Sequence, residues 1–518
     1  MRTTLRSALA LIALQVLCVS QAADGRQAAY VLVRAGDDLQ AAIDRARPGD
    51  VILLQAGATF VGNFRLPPTS GDAGITIRSA VPPLVLPRDR RVRPQHAAWM
   101  ATLRSGNTRP ALSTQAGARN WRIQWIAFDA NAGGIGDIIT LGSGGSDQPD
   151  PALIPRDLTL DGLIIRGDPT LGQKRGIALN SASTTIRNCD IRDIKAVGQD
   201  SQAIAGWNGP GPFVIENNHL EAAGENVMFG GADPTIPGLV PSDITIRDNY
   251  LTKPLAWRER GTPWTVKNLL ELKNAQRVLI ENNILEHSWL AGQTGFAILF
   301  SVTNQDGRAP WSVVSDVTLQ YNIIRRAASG ISLSGHDYRT GSRQARRIRI
   351  VHNLFYDISR RWGSGGRFLQ IGNEPADLVV DHNTVVHDGH VLLMYGRRNG
   401  RLEAVQGFQF TNNLTVHNEY GIFGEEAGIG TPAVAAYMLG EVRRNVVAGA
   451  PASRYPPDNF YPAVDEFFGQ FVSPARGNYR LRPGSRFRTA ATDGTMIGAD
   501  IDAIMRRVAR ARTGSAEP

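Results

Sequence analysis

The chain has 518 residues, of which 42% are hydrophobic and 20% are charged, and its formal net charge is +9. This composition belongs to a folded protein rather than a disordered one, and the modest positive charge favours anionic partners. Only Cys18 and Cys189 occur, so a disulfide-stabilised scaffold is excluded.

The N-terminus has the pattern of an export signal. Arg2 and Arg6 precede an apolar stretch at about residues 8–19, and small residues lead to Ala22. This predicts a secretory signal cleaved after Ala22, because the apolar run is too short to cross a bilayer. No later stretch approaches the roughly 20 apolar residues of a membrane helix. We therefore predict a soluble, secreted or periplasmic product with three parts: signal 1–22, repeat body 23–500, and a C-terminal helix and tail 501–518.

A short amphipathic helix is predicted within residues 37–46. Leu39, Ala42 and Ile43 share one of its faces, and Pro48-Gly49 ends it before the strand DVILLQ. A stack of strands exposes unpaired edges at both ends, and these need covering. We expect this helix to cap the first end, and a last strand at YRL with the helix after residue 500 to close the other.

A repeated motif follows, in which alternating apolar residues lead to a polar residue, an Asn and further apolar residues. It reads FVIENNHL, ITIRDNYL, VLIENNIL, VTLQYNII, IRIVHNLF, LVVDHNTV and FQFTNNLT, and the Asn recurs every 30 to 39 residues at positions 218, 249, 283, 322, 353, 383 and 413. A second short strand lies in each period, as in FAILFS. Short strands at this interval, separated by Gly and Asn, predict about 11 or 12 stacked β-coils rather than a helical repeat.

The motif also predicts how each coil is built. Alternating Ile, Leu, Val and Phe side chains fill a narrow core, while each Asn turns inward and bonds its counterpart in the next coil. The capping helix, the PGD turn, the Asn-corner coils and the closing DG-x3-GAD segment resemble the pectate-lyase-like right-handed parallel β-helix superfamily. The resemblance implies an all-β, single-stranded right-handed parallel β-helix. It leaves function open, because that superfamily includes lyases, hydrolases, epimerases and non-catalytic proteins.

The longest intervals, between Asn249 and Asn322, contain loops rich in Trp and Arg. Trp257, Arg258 and Trp289 are candidate substrate-binding residues, because indole rings stack on the C–H faces of sugars; packing of the loops onto the coil is the alternative. Within KNLLELKNA, alternation predicts that Glu271 and Lys273 point outward, about 7 Å apart along the strand. They form the candidate catalytic pair, with a solvated ion pair as the alternative.

Neighbouring coils supply further candidates, because stacked strands lie about 4.8 Å apart and groups in register can surround one sugar. Turn positions on these coils give two more catalytic candidates, His336 and Arg339. Outward or turn positions give the substrate-binding candidates Arg367, Gln370 and Tyr395. The preceding coil offers carboxylates, from which we take Glu225 and Asp233 as metal ligands.

Two reactions and one non-catalytic role fit this set. β-Elimination on a uronate needs a cation to neutralise the carboxylate, a base and an acid. The resemblance implies Ca²⁺ with a Lys or Arg base, here Lys273, although the nearby Glu271 favours its ammonium form. The second reading is a glycoside hydrolase with paired carboxylates, and the third a carbohydrate-binding surface protein. We expect an anionic polysaccharide partner and a monomer, with no nucleic acid or membrane partner.

Overall fold

The computed structural model describes residues 27–82, 85–87, 89–259, 262–363 and 365–512. The predicted export signal and the last six residues of the predicted tail lie outside these ranges. Within them, none of the helices combines the length and the apolar character needed to span a bilayer.

Three long sheets run along the molecule, and each coil adds one strand to each of them. Sheet 1 precedes the corner Asn and has 14 strands: Tyr30–Val33, Val51–Leu54, Ile75–Ser79, Arg119–Gln124, Arg156–Asp161, Ala182–Arg187, Gly211–Glu216, Ser242–Arg247, Ala275–Glu281, Val314–Gln320, Arg346–Val351, Ala376–Asp381, Val405–Thr411 and Met438–Arg443.

Sheet 2 follows the corner Asn and has 13 strands: Thr59–Val61, Ala101–Arg104, Ile126–Asp129, Ile164–Arg166, Asp190–Ile194, His219–Ala222, Tyr250–Thr252, Ile284–Ser288, Ile323–Ala327, Leu354–Ile358, Thr384–His387, Leu414–Val416 and Val446–Ala448. Sheet 3 completes each coil and also has 13 strands: Phe64–Leu66, Leu112–Thr114, Asp137–Leu141, Arg175–Leu179, Gln202–Gly206, Glu225–Phe229, Leu270–Leu272, Phe296–Ser301, Ser329–Ser334, Leu369–Gly372, Leu392–Met394, Ile422–Gly424 and Gly428–Ile429.

The remaining elements are short. Two hairpins pair Arg397–Arg398 with Arg401–Leu402 and Phe471–Ser473 with Asn478–Leu481. The α-helices are Leu39–Arg45, Ala256–Glu259, Thr431–Tyr437, Val464–Gly469, Ile501–Arg507 and Ala509–Arg512. The 3-10 helices are Pro94–Trp99, Ala132–Gly134, Pro151–Leu153, Arg360–Trp362, Ala452–Arg454, Pro474–Arg476 and Arg486–Thr489.

The order of strands confirms the predicted architecture. Along each sheet, every strand pairs in parallel with the strand one coil later, until the last strand of sheet 3, which turns back antiparallel. Twelve successive coils, from Val51–Leu54 to Ile422–Gly424, place one strand in all three sheets. The chain is therefore an all-β, single-stranded right-handed parallel β-helix, in line with the right-handed crossover that parallel strands favour.

The corner Asn residues form one continuous ladder. At its centre, the Asn283 backbone N–H and side-chain amide donate to Asn322 Oδ1 at 2.9 and 3.0 Å, and Asn322 bonds Asn353 in the same way. All seven predicted Asn are fully buried, and the ladder continues through Asn445 to Asn459. The predicted structural role of these residues is confirmed.

The cap predicted for the first end of the stack is also confirmed. Helix Leu39–Arg45 begins after Asp38, whose carboxylate accepts the Ala41 N–H at 2.9 Å. Its Leu39, Ala42 and Ile43 are buried in the main core. In the coil before Asn218, Cys189 occupies the corner position, where burial raises the pKa of its thiol and leaves it unreactive.

The C-terminal segment differs from our expectation. The helix that packs at the far end of the core is Thr431–Tyr437, through Ala433 and Tyr437. From Gly449 to Arg512 the chain instead runs back over the outer face of sheet 2, where its Phe467, Phe487 and Ile504 pack on outward residues of the coils. The reason is that sheet 2 carries apolar side chains on both faces, so its outer face also needs a partner.

Candidate functional site

The outer face of sheet 3, called here the sheet 3 face, lies between two rows of long loops. The described parts of the segments that lead into its strands are 253–259, 262–268, 289–295, 359–363 and 365–367. Segments 230–241, 302–313 and 335–345 lead out of them. The face is therefore a floor bordered on both sides, and ligand sites in solenoids are built from such outward residues and loops.

Glu271 and Lys273 point outward as predicted, because Leu270 and Leu272 on the same strand fill the core. Glu271 is nonetheless only 1% exposed. Its Oε1 lies 3.5 Å from Lys273 Nζ, and its Oε2 accepts the Asn268 side-chain amide at 2.8 Å. Burial raises the pKa of Glu271 to about 7, against the opposing effect of the Lys273 ammonium.

A second carboxylate–lysine pair lies one coil earlier. Glu225 is fully buried, with its Oε2 bonded to the Gln202 amide at 2.9 Å and its Oε1 3.6 Å from Lys267 Nζ. Lys267 also pairs with Asp200 at 2.6 Å. Sequence reasoning missed Lys267, although it opens the same KNLLELKNA segment, because its reach to Glu225 depends on the register between coils.

These two pairs share one arrangement, in which the carboxylates are buried near the sheet and the ammonium groups lie closer to the solvent. The side chains of Lys267 and Lys273 are 14% and 18% exposed, against 0% and 2% for those of Glu225 and Glu271. Lys267 is also paired with Asp200, whose side chain is 41% exposed, so Lys273 is the cation of the two pairs that is left to meet a ligand. Such a cation attracts anions.

The expected calcium ligands do not form a calcium site. Asp233 Oδ2 accepts the backbone N–H groups of Asp306 and Arg308 at 3.0 and 2.8 Å and so fixes a loop, whereas Glu225 bonds Gln202. Among the described residues, no group of three or more His, Cys, Asp or Glu side chains is placed to hold a metal ion. Calcium needs six to eight oxygen ligands, and an ammonium group lies beside each carboxylate of the sheet 3 face.

The predicted tryptophan platform is buried in the border of the face. Trp257 and Trp289 are 8% and 4% exposed and pack together with Trp362. Arg258 lies over the Trp362 ring at 4.7 Å and donates to the Arg361 carbonyl at 2.6 Å. These side chains thus hold the entry loops on the coil and offer little ring surface to a sugar.

His336 and Arg339 lie beyond the pair rather than against it. His336 follows the strand two coils after Leu270–Leu272, a step of about 10 Å along the stack. Its ring stacks on Tyr338 at 5.1 Å, and burial lowers its pKa. The Arg339 side chain is exposed, and its backbone N–H donates to Asp337 at 3.0 Å.

Arg367, Gln370 and Tyr395 are brought together one coil further on. Arg367 Nη1 donates to Gln370 Oε1 at 2.6 Å, and Gln370 also bonds Tyr395. Burial lowers the pKa of Arg367 and raises that of Tyr395. In the part of the chain that the structure describes, no carboxylate pairs with Arg367. A half-buried guanidinium without an anionic partner can still take one.

Comparison with known proteins finds no matching family model and no match among curated proteins. Among solved structures, the chain is similar to the PL6 family alginate lyase AlyGC, at 12% identity and a TM-score of 0.52, over 91% of this chain and 58% of that one. A single-residue variant of AlyGC gives 13% identity and a TM-score of 0.54, with the same coverage.

The catalytic unit of a GH87 alpha-1,3-glucanase from Streptomyces thermodiastaticus gives 14% identity and a TM-score of 0.47, over 86% of this chain and 70% of that one. The chain thus spans under two thirds of the length of AlyGC. At these identities a likeness shows the fold alone. The chain has the right-handed parallel β-helix fold that its sequence resemblance implied.

Proposed function

We propose that the protein is an exported enzyme that cleaves an acidic, uronate-containing polysaccharide by β-elimination on the sheet 3 face. The observation that carries the proposal is the layering of charge there. Lys267 and Lys273 reach the surface while Glu225 and Glu271 lie beneath them, and on the same face the Arg367 guanidinium bonds Gln370 but has no carboxylate partner among the described residues. A polymer with one carboxylate per sugar matches this row of cations.

The reaction assigns a task to each group. Lys267 neutralises the uronate carboxylate and so acidifies the adjacent ring C–H, whereas Arg367, three coils further on, binds the carboxylate of another sugar. The Lys273 amine takes that proton while the C–O bond to the leaving sugar breaks and a C=C bond forms, and the resulting Lys273 ammonium passes a proton to the leaving oxygen. Glu271 Oε1 lies 3.5 Å from Lys273 Nζ and is placed to orient that amine.

A glycoside hydrolase is the second candidate, and one observation favours it. A carboxylic acid with a pKa near 7 is what an inverting or retaining hydrolase uses to protonate the leaving oxygen, and Glu271 with Glu225 would supply the pair. Against it, both side chains are covered by lysines. The exposed fractions, 0% for Glu225 and 1% for Glu271, leave no open path to a glycosidic oxygen.

A substrate screen separates the candidates. The purified protein is incubated with uronate and neutral polysaccharides, and both ultraviolet absorbance and reducing ends are followed. A lyase raises both signals and a hydrolase only the second, whereas a binding protein raises neither. The proposal includes no metal, so a chelator should leave the rate unchanged. Mass spectrometry of the mature product checks for an N-terminus at Ala23, and its oligomeric state is expected to be monomeric.

Replacement of Lys273 tests its role directly. Lys273→Ala should lower kcat/KM by about 10² or more, since general base catalysis typically contributes this much. Arg277→Ala is the matched control, because Arg277 is an exposed cation of sheet 1, at the start of the next coil and on a different side of the molecule. Full activity of Lys273→Ala would transfer the assignment to the carboxylates, and Glu271→Gln would be examined next.

A further inference from the structure

We infer that the ring of Tyr420 is a sugar-stacking platform that extends the binding region of the sheet 3 face to five coils beyond Lys273. The class of ligand, an acidic polysaccharide, rests on the proposed function. The platform itself rests on three side chains, Arg367, His390 and Tyr420, which enter three successive strands of sheet 3 from the same border.

The three side chains form a connected row. The Phe368 backbone N–H donates to the His390 carbonyl at 2.9 Å, which sets Arg367 beside His390, and the Arg367 charge contributes to the lowered pKa of His390. His390 then stacks on Tyr420, with the ring centroids 5.0 Å apart and the planes 10° from parallel. A cation for a carboxylate and a ring for a sugar face thus stand two coils apart.

His390 acts as backing for the platform rather than as a charge. Burial lowers its pKa to about 4, so the imidazole is neutral near pH 7. Phe423 supports the same rings from 5.8 Å. Tyr420 nevertheless remains 37% exposed. Its acidic neighbour Glu419 hydrogen-bonds the Tyr420 side chain and is paired with Arg360 at 3.3 Å. A flat, supported and accessible ring suits the face of a sugar.

Tyr338 shows why exposure alone does not identify the platform. It is also 37% exposed and also stacks on a histidine, His336. However, the Arg398 guanidinium lies 3.9 Å from the centre of its ring. The histidine and the arginine occupy its ring surface, whereas no guanidinium contacts the Tyr420 ring in the part of the chain that the structure describes.

The spacing of the coils predicts the length of ligand that reaches the platform. Stacked strands rise about 4.8 Å per coil, so the strand that Tyr420 precedes, five coils after the strand of Lys273, lies about 24 Å further along the stack. Lys273 follows the end of its strand, whereas Tyr420 precedes the start of its own, so the two side chains are further apart than this step. A long oligosaccharide would therefore touch both positions, whereas a disaccharide or trisaccharide at Lys273 would not.

Kinetics with oligouronates of defined length test this geometry. Tyr420→Ala should raise KM by about fivefold to tenfold for hexamers and longer chains, with kcat and the kinetics of trimers unchanged. Tyr420→Phe should retain wild-type kinetics because it keeps the ring. Tyr30→Ala is the control, since Tyr30 is a 49% exposed tyrosine at the first strand of sheet 1. An unchanged KM of Tyr420→Ala for long chains would overturn the inference.

A binding assay separates this inference from the proposed reaction. Affinity electrophoresis in gels that contain an acidic polysaccharide is run with wild type, Tyr420→Ala and Tyr420→Phe, each also carrying Lys273→Ala to prevent cleavage. Loss of retardation in Tyr420→Ala alone supports the platform even if no cleavage is ever detected. Equal retardation of all three proteins, or no retardation of any on every acidic polymer tested, overturns it.

Discussion

Sheet 2 and sheet 3 belong to the same coils, yet the outer face of sheet 2 is covered by the chain and the outer face of sheet 3 is open. On sheet 2, the residues after the corner Asn are apolar, as with Ile284, Ile323 and Leu354, and the C-terminal segment covers them. On sheet 3, the outward row includes Glu271 and Gln370 and stays open between loops. The coil frame therefore tolerates either face, and the outward side chains decide whether the chain covers a face or leaves it available for a ligand.

The largest expected effect tests the covered face. Phe487 is fully buried between the C-terminal segment and sheet 2, so Phe487→Ala should lower the free energy of unfolding by about 3 to 5 kcal/mol through a cavity. Val472→Ala, in the same segment but 45% exposed, should change it by less than about 0.5 kcal/mol. Chemical denaturation measures both. Similar small losses would mean that the segment is only loosely attached.

A smaller effect tests the frame that both faces share. Asn322 is fully buried, and its amide group bonds Asn283, Asn353 and the Ile280 carbonyl. Asn322→Leu should cost about 1 to 3 kcal/mol, because buried backbone groups lose their partners. The control is Gln409→Leu, an exposed position of sheet 1. An unchanged melting temperature in Asn322→Leu would show that the ladder adds nothing to stability.

The smallest expected effect on stability tests how much the buried charge of Glu271 on the sheet 3 face destabilises the fold. The pKa of Glu271 is about 7 in the folded protein against an ordinary value of 4.5, so its contribution to stability is present below about pH 4.5 and is lost as pH rises through 7. Glu271→Gln lacks this titration. From pH 5 to pH 8 the variant should gain stability relative to wild type, seen as a rise in its melting temperature relative to that of wild type. If the melting temperatures of wild type and Glu271→Gln change equally between pH 5 and pH 8, the prediction is contradicted.

The sequence predicts the frame well because the frame repeats. Asn spacing predicts the coils, the LQAAI face predicts the cap, and strand alternation predicts that Glu271 and Lys273 point outward. The cover on sheet 2 could also have been anticipated. In NIL, NII and NLF, two consecutive apolar residues follow the Asn, which indicates a strand that is buried on both faces.

Features that depend on the path of the loops could not be predicted from the sequence. The sequence of the Trp-rich loops fits either a sugar-binding platform or loops that pack on the coil. Only the structure shows that Trp257 and Trp289 pack against the coil. The partners of the carboxylates could not be predicted from the sequence either. Whether Asp233 faces a ligand or the backbone of residues 306 and 308 depends on contacts between loops more than 70 residues apart.

The C-terminal segment that covers sheet 2 also affects how the protein matures. The buried guanidinium of Arg91 bonds the carbonyls of Asn217, Asp248 and Ala511, and so joins the first coils to a helix 420 residues later in the chain. During synthesis, every coil can form before that helix emerges from the ribosome, but the apolar strip of sheet 2 then has no cover. A chain that ended before this segment would therefore keep its coils but expose the apolar outer face of sheet 2, and a large exposed apolar surface favours aggregation.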